Sequence, residues 1–180
     1  QEVSQTIYRF QHKDAPATLE MNIISGFFSI SYDLKADPTP LERKPPAPEI
    51  AASTIRSYLS SANLLPEDLT GQATPEYLKI EGGNLVGALS LSDSDLIRIN
   101  LFRKNYDNLP SLTAEPNKSN VWFILSGARE REKQIIAAEY HYFPVDEEQS
   151  STYPIKTSQS AWDELNTGNI YVASAGQNQE

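Results

Sequence analysis

The chain has 180 residues, with 15 Lys and Arg against 24 Asp and Glu, a net charge of −9 and no Cys. That balance excludes a general binder of phosphate backbones and electrostatic docking on an anionic membrane, since both need a basic face. Lack of Cys excludes thiol catalysis, Cys-ligated zinc, iron–sulfur clusters and disulfides, and a chain of this length buries enough surface to fold without such staples.

The predicted elements begin with a strand over 5–11 and a hairpin over 18–32. Ser25-Gly26 makes the hairpin turn, with Gly supplying a positive φ. Phe28, Ile30 and Tyr32 fall on one face of the second arm, Ser29 and Ser31 on the other. Residues 33–48 carry Pro38, Pro40, Pro45, Pro46 and Pro48 and read as a connector, because proline lacks the donor a strand or helix interior needs. A helix follows over 48–62. Pro48 suits its first turn and Glu49 its positive end. Ala51, Ile55, Tyr58, Leu59 and Ala62 form one apolar stripe.

Strands are expected over 77–81 and 85–89, across Gly82-Gly83-Asn84, and over 96–102. In the last, Ile97, Ile99 and Leu101 share a face, with Arg98 and Asn100 opposite. Residues 103–120 form a long polar loop, of the kind that compact domains keep for covering or binding something. A hairpin of 120–126 and 134–142 comes next. Its first arm, Val121 to Leu125, is apolar throughout and reads as a central strand buried on both faces. In the second arm Ile136, Ala138, Tyr140 and Tyr142 alternate with Glu139 and His141. A polar connector, 145–156, leads to a helix capped by Thr157 or Ser158 and ending at Asn166. Ala161, Trp162 and Leu165 are its packing face and Gly168 its stop. A strand-like 169–173 precedes a polar end, which leaves open whether the sequence stops short of its natural C-terminus. Beginning at Gln1, it reads as processed or trimmed.

Each half thus has a hairpin, a proline-bearing connector and a short amphipathic helix with an aromatic residue near a Leu. A hairpin has one apolar face and needs a covering layer. The expected fold is α+β, with antiparallel sheets each packed by a short amphipathic helix, in two tandem similar units over 1–70 and 71–180.

The chemistry-bearing residues are sparse. His12 lies in a polar run, and His141 pairs at i, i+2 with Glu139, too few ligands for zinc. Asp93, Asp95 and the run Asp146-Glu147-Glu148 lack the ligand number and Gly of a calcium loop. Ser25-Gly26 and Ser126-Gly127 lack the flanking glycines of a nucleophile elbow. Gly82-Gly83 precedes a strand, so it makes no phosphate cradle. Asn117-Lys118-Ser119 fits the glycosylation pattern but reads as a polar loop. Trp122, Phe123, Tyr140, Tyr142 and Phe143 read as core before they read as a peptide or glycan face. No catalytic, cofactor or metal residue is assigned. The loop 103–120 is the candidate protein-binding segment, with Phe102, Tyr106 and Leu109 as apolar anchors among polar residues. The same three would also serve to fold the loop back as a minicore.

Three segments carry a resemblance: 101–110 (LFRKNYDNLP), 140–146 (YHYFPVD) and 153–165 (YPIKTSQSAWDEL). They resemble uncharacterised bacterial envelope proteins and are similar to the extracellular regions of YycH/YycI-type two-component regulatory proteins and to PepSY-like modules. The resemblance covers the C-terminal half. It implies a membrane-anchored extracytoplasmic domain at the bacterial cell envelope or surface, with sheet-and-helix repeats and no catalytic residues. The expected function is noncatalytic, regulating or scaffolding a protein partner; a carbohydrate- or peptide-binding module is the alternative. A neutral glycan is the second partner considered, and nucleic acid is excluded by charge.

Overall fold

The computed structural model describes residues 4–71, 73–106, 108, 111, 113, 118–146, 148–149, 151 and 154–169. They fall into two units, Gln1–Tyr142 and Phe143–Glu180. The first holds strands β1 (Ile7–Gln11), β2 (Ala17–Asn22), β3 (Phe28–Tyr32), β4 (Ala73–Glu81), β5 (Asn84–Gly87), β6 (Leu96–Leu101), β7 (Val121–Leu125) and β8 (Ile135–Tyr140), with helix α1 (Pro48–Ser61) between β3 and β4.

The fold is α+β. All eight strands form one sheet, in the order β1-β2-β3-β8-β7-β6-β4-β5, antiparallel at every step. The expectation of a sheet in each half is therefore corrected to a single sheet. The joining ladder is β3 with β8, which sets Ile30 opposite Ala138 across the 70/71 division. A β2–β3 hairpin alone would leave the outer donors of β3 unpaired, and β8 satisfies them.

Local sequence explains most of the strands. β7 is apolar at every position because β6 and β8 flank it and its side chains are buried or half-buried on both faces. Gly82 and Gly83 take φ angles of 58° and 81°, the two left-handed positions of a two-residue hairpin loop. β4 starts earlier than the expected residue 77 and includes Pro75. That proline faces Ile99 of β6, at the end of β4 that β5 does not reach, so its missing donor can lie on the open side.

One sheet face packs against α1. Ile97, Ile99, Val121, Phe123 and Leu125 meet Ala51, Ile55 and Leu59 there. Ile55 is fully buried, and truncating such a side chain to Ala costs about 2–5 kcal/mol. The helical stripe shifts slightly from expectation. Ala52 is buried, while Ala62 caps the helix and is exposed.

The second face carries a smaller cluster of Tyr32, Leu96, Ile124 and Ile136. Leu34 and Leu41, from the connector after β3, pack on it. Two residues leave the face that strict alternation predicts. A register shift at Ile124/Leu125 sets Ile124 opposite Ala137 and Leu125 opposite Ile135. Ile136 therefore joins the second cluster while Ala138 and Tyr140 stay in the first. Tyr32, at the end of β3, also turns to the second cluster.

The second unit contains α2 (Ser158–Asn166). The Thr157 hydroxyl accepts the Ser160 N–H at 3.2 Å, and Gly168 ends the helix with φ 73°. Its expected packing face is not buried. Trp162 is 58% exposed, Leu165 is 45% exposed, and Ala161 is exposed as well. The expected strand over 169–173 lies outside the described residues except for Asn169. No helix among the described residues is long and apolar enough to cross a membrane.

Candidate functional site

Two places gather side chains that matter: the start of the loop singled out by sequence, and an apolar trough on the second sheet face. At the first, the Tyr106 hydroxyl donates to Asp68 Oδ2 at 3.3 Å and the Tyr142 hydroxyl to Oδ1 at 3.1 Å. Arg103 brings a guanidinium nitrogen to 3.2 Å from Oδ2, at an angle outside hydrogen-bond geometry. Its guanidinium lies over the Tyr142 ring, 4.5 Å from the centroid. The Lys104 N–H donates to the Asp68 carbonyl at 2.7 Å. Asp68 sits buried in a 3-10 turn, Glu67–Leu69. Burial first, then the Asp68 hydrogen bond, pushes the Tyr142 hydroxyl pKa up; burial does the same to Tyr140. Of the expected contact residues, Tyr106 is thus brought to Asp68, Phe102 is half-buried, and Leu109 lies outside the described residues.

The other singled-out groups are in ordinary structural company. His12 accepts the Asp14 N–H on Nδ1, and the His141 ring lies tilted beside Phe27 with centroids 5.2 Å apart. Glu139 accepts the Trp122 indole N–H at 3.2 Å, and Arg98 covers that indole at 4.2 Å. Asp93 pairs with Lys79, and Asp95 with Lys44. The Ser119 hydroxyl is buried and donates to the Leu101 carbonyl; Asn117 lies outside the described residues. Among the described residues, no three His, Asp or Glu side chains gather as a metal site.

The trough has a volume of about 630 Å³, within the roughly 300–1,000 Å³ that small-molecule sites occupy. It receives side chains from every strand between β3 and β5 in the sheet order. Leu96, Ile124 and Ile136 form its floor. Ile80 and Leu85 close it at the β4–β5 hairpin, and Leu34 and Leu41 form a wall from the connector. Lys35 and Asp33 stand at its polar rim.

The connector wall is held by a charge network. Asp37 accepts the Tyr32 hydroxyl at 2.7 Å and the Thr39 hydroxyl at 2.6 Å, and pairs with Lys133 at 2.9 Å. The Thr39, Lys133 and Tyr32 hydrogen bonds, in that order, hold its carboxyl well below the usual carboxylate range. Burial and the same contact push the Tyr32 hydroxyl up. Further along, Lys44 donates to the Ser94 carbonyl at 2.9 Å, and Asp95 accepts the Ile80 N–H at 3.1 Å.

Sequence reasoning missed the trough because its residues run from 31 to 137 and meet only through the β3–β8 ladder. The one available signal is β7, whose unbroken apolar run announces that the second face is apolar as well. No known family, no curated protein and no solved structure matches the chain.

Proposed function

We propose that the chain is a noncatalytic recognition domain of a membrane-anchored bacterial envelope protein, that it regulates or scaffolds a protein partner, and that the trough with its rim is the recognition site. The observation that carries the reading is an open apolar trough of about 630 Å³ on a sheet whose other face is close-packed. Apolar surface left open in a folded domain marks a place where something binds. Leu85, at 47% exposure, sits where the trough reaches the last strand of the sheet. The extracytoplasmic placement rests on the resemblance of segments 101–110, 140–146 and 153–165. The tandem reading, as in PepSY-like modules, belongs to the same proposal only as a repeated order of elements along the chain, since the strands share one sheet. Its support is the order hairpin, connector, helix, which occurs twice: β2–β3 then α1, and β7–β8 then α2.

The test is site-specific photocrosslinking in bacterial envelope fractions. A photoreactive residue at Leu85 should capture a defined protein band, lost when Ile124→Trp fills the trough. The control is Ile24, 79% exposed in the β2–β3 turn and not among the trough side chains. Equal capture from both positions means general apolar stickiness and ends the reading.

A further inference from the structure

We propose that an extended segment of the protein partner adds to β5 as an outer antiparallel strand, with apolar side chains on the trough face and basic side chains on the other. The inference rests on reading the trough as a recognition site, and it states how the partner's chain enters that site.

β5 is the last strand in the sheet order, and its outer side has no neighbouring strand among the described residues. The Ala88 N–H donates to the Tyr77 carbonyl at 2.8 Å, in step with the pairs Glu81–Asn84 and Lys79–Val86. Along an antiparallel ladder, residues alternate between bonding the neighbour and pointing away from it. Asn84 and Val86 therefore spend their backbone groups on β4, and the N–H and C=O of Leu85 and Gly87 point outward. Edge strands are ordinarily blunted by Lys, Pro, a bulge or a covering segment. β5 reads Asn-Leu-Val-Gly, pairs with β4 without a register shift, and has none of these devices among the described residues. The opposite edge, β1, is defended: Ser4 bonds the N–H and the C=O of Ile7, each at 3.2 Å, and Arg9 sets a charge at mid-strand.

The same residues select the occupant. Outward backbone groups call for a chain with unspent backbone groups of its own, which a strand has and a helix does not. Leu85 and Gly87 also stand on the trough face, opposite Ile80 and Leu78. A Cβ added at Gly87 would meet nothing within 4 Å, so a bulky apolar side chain set opposite Gly87 packs across it toward Leu78. Charge selects the other face. There Lys79 answers two carboxylates, Glu81 at 2.6 Å and Asp93 at 3.4 Å, which leaves one negative charge in excess. The chain's net charge of −9 has the same sign. A basic strand is attracted to this edge and an acidic one repelled.

The test is fluorescence anisotropy of the whole chain with the fluorescein-labelled peptide Lys-Val-Thr-Val-Thr-Val-Lys, whose valines would face the trough side. Gly87→Pro removes an outward N–H and fills the open space but breaks no β4 bond, and it should weaken binding about tenfold. Gly87→Ala keeps the N–H and should change binding by less than about twofold. Backbone N-methylation separates the faces without altering the protein. Methyl groups on the valine nitrogens, which point at β5, should weaken binding about tenfold or more, and those on the threonine nitrogens should be tolerated. Exchanging both Lys for Glu should weaken it about three- to tenfold. No binding, equal binding of the two methylated peptides, equal binding to wild type and Gly87→Pro, or no loss with Glu overturns the assignment. Self-association that Gly87→Pro abolishes in sedimentation also overturns it, by making a second copy the occupant. The recognition reading survives any of these results if the Leu85 photocrosslink still captures a band that Ile124→Trp removes, and falls if that capture fails as well.

Discussion

The Tyr142 hydroxyl donates to the Asp68 carboxylate at 3.1 Å, across 74 residues of chain. Tyr142 is the last residue of the sheet unit, so this bond ties the end of that unit to the turn before β4. Arg103 completes the cluster with a side chain only 16% exposed. Asp68→Ala should therefore cost about 3 kcal/mol, because it leaves a nearly buried cation without its partner. Tyr142→Phe removes one hydrogen bond and should cost about 1 kcal/mol. In urea unfolding, the double variant should be less destabilised than the two single changes added together. Strict additivity would show that Asp68 and Tyr142 act independently.

Gly127 follows β7, where the β7–β8 tip meets the connector. A Cβ there would lie 2.7 Å from the Arg43 carbonyl oxygen and closer still to that of Lys44. Both obstacles are backbone, so no side chain can swing aside. Gly127→Ala should destabilise by about 1–3 kcal/mol, as overpacking does. A thermal midpoint equal to wild type would mean that the connector moves freely away from the tip.

The legible parts of this fold were those with a local cause. The Gly82-Gly83 turn, the α1 stripe of Ala51, Ile55 and Leu59, and the apolar run of β7 each follow from residues a few positions apart. The β3–β8 ladder has no such cause. Nothing within Phe28–Tyr32 says that its outer neighbour lies more than 100 residues later, at Ile135–Tyr140. The face of Ile136 was hidden for a related reason, since alternation fails where the register shifts. The trough inherits both difficulties. Amphipathicity also predicts that a helix has an apolar face but not what covers it.

That last point has a direct test. Trp162 is 58% exposed on α2, so its removal takes little surface out of a packed environment. Trp162→Ala should change the stability of the folded chain by less than about 0.5 kcal/mol, as surface substitutions do. A loss of several kcal/mol in chemical denaturation would show that the indole is buried in solution.

Asp37 gives the connector an acid-sensitive hold. Hydrogen bonds from Thr39, Lys133 and Tyr32 depress its pKa in the folded state. A depressed carboxyl stabilises the fold above its unfolded pKa, about 3.9 for Asp. The stabilisation is lost as pH falls through that value toward the folded one. Lys133 is raised by the same contact, so its share is present below the unfolded Lys pKa of about 10.4 and is lost as pH rises through the folded value. Between those limits the hold is constant. Urea midpoints of wild type and Asp37→Asn should therefore differ by a fixed amount from about pH 5 to about pH 8, and the difference should shrink below about pH 4. The same carboxylate anchors the segment that places Leu34 and Leu41 on the second face. Binding of a neutral apolar fluorophore to the folded protein should accordingly weaken over the same acid range in wild type, and be weak at every pH in Asp37→Asn. A stability difference that persists undiminished to about pH 3 would show that the Asp37 charge is not what holds the wall.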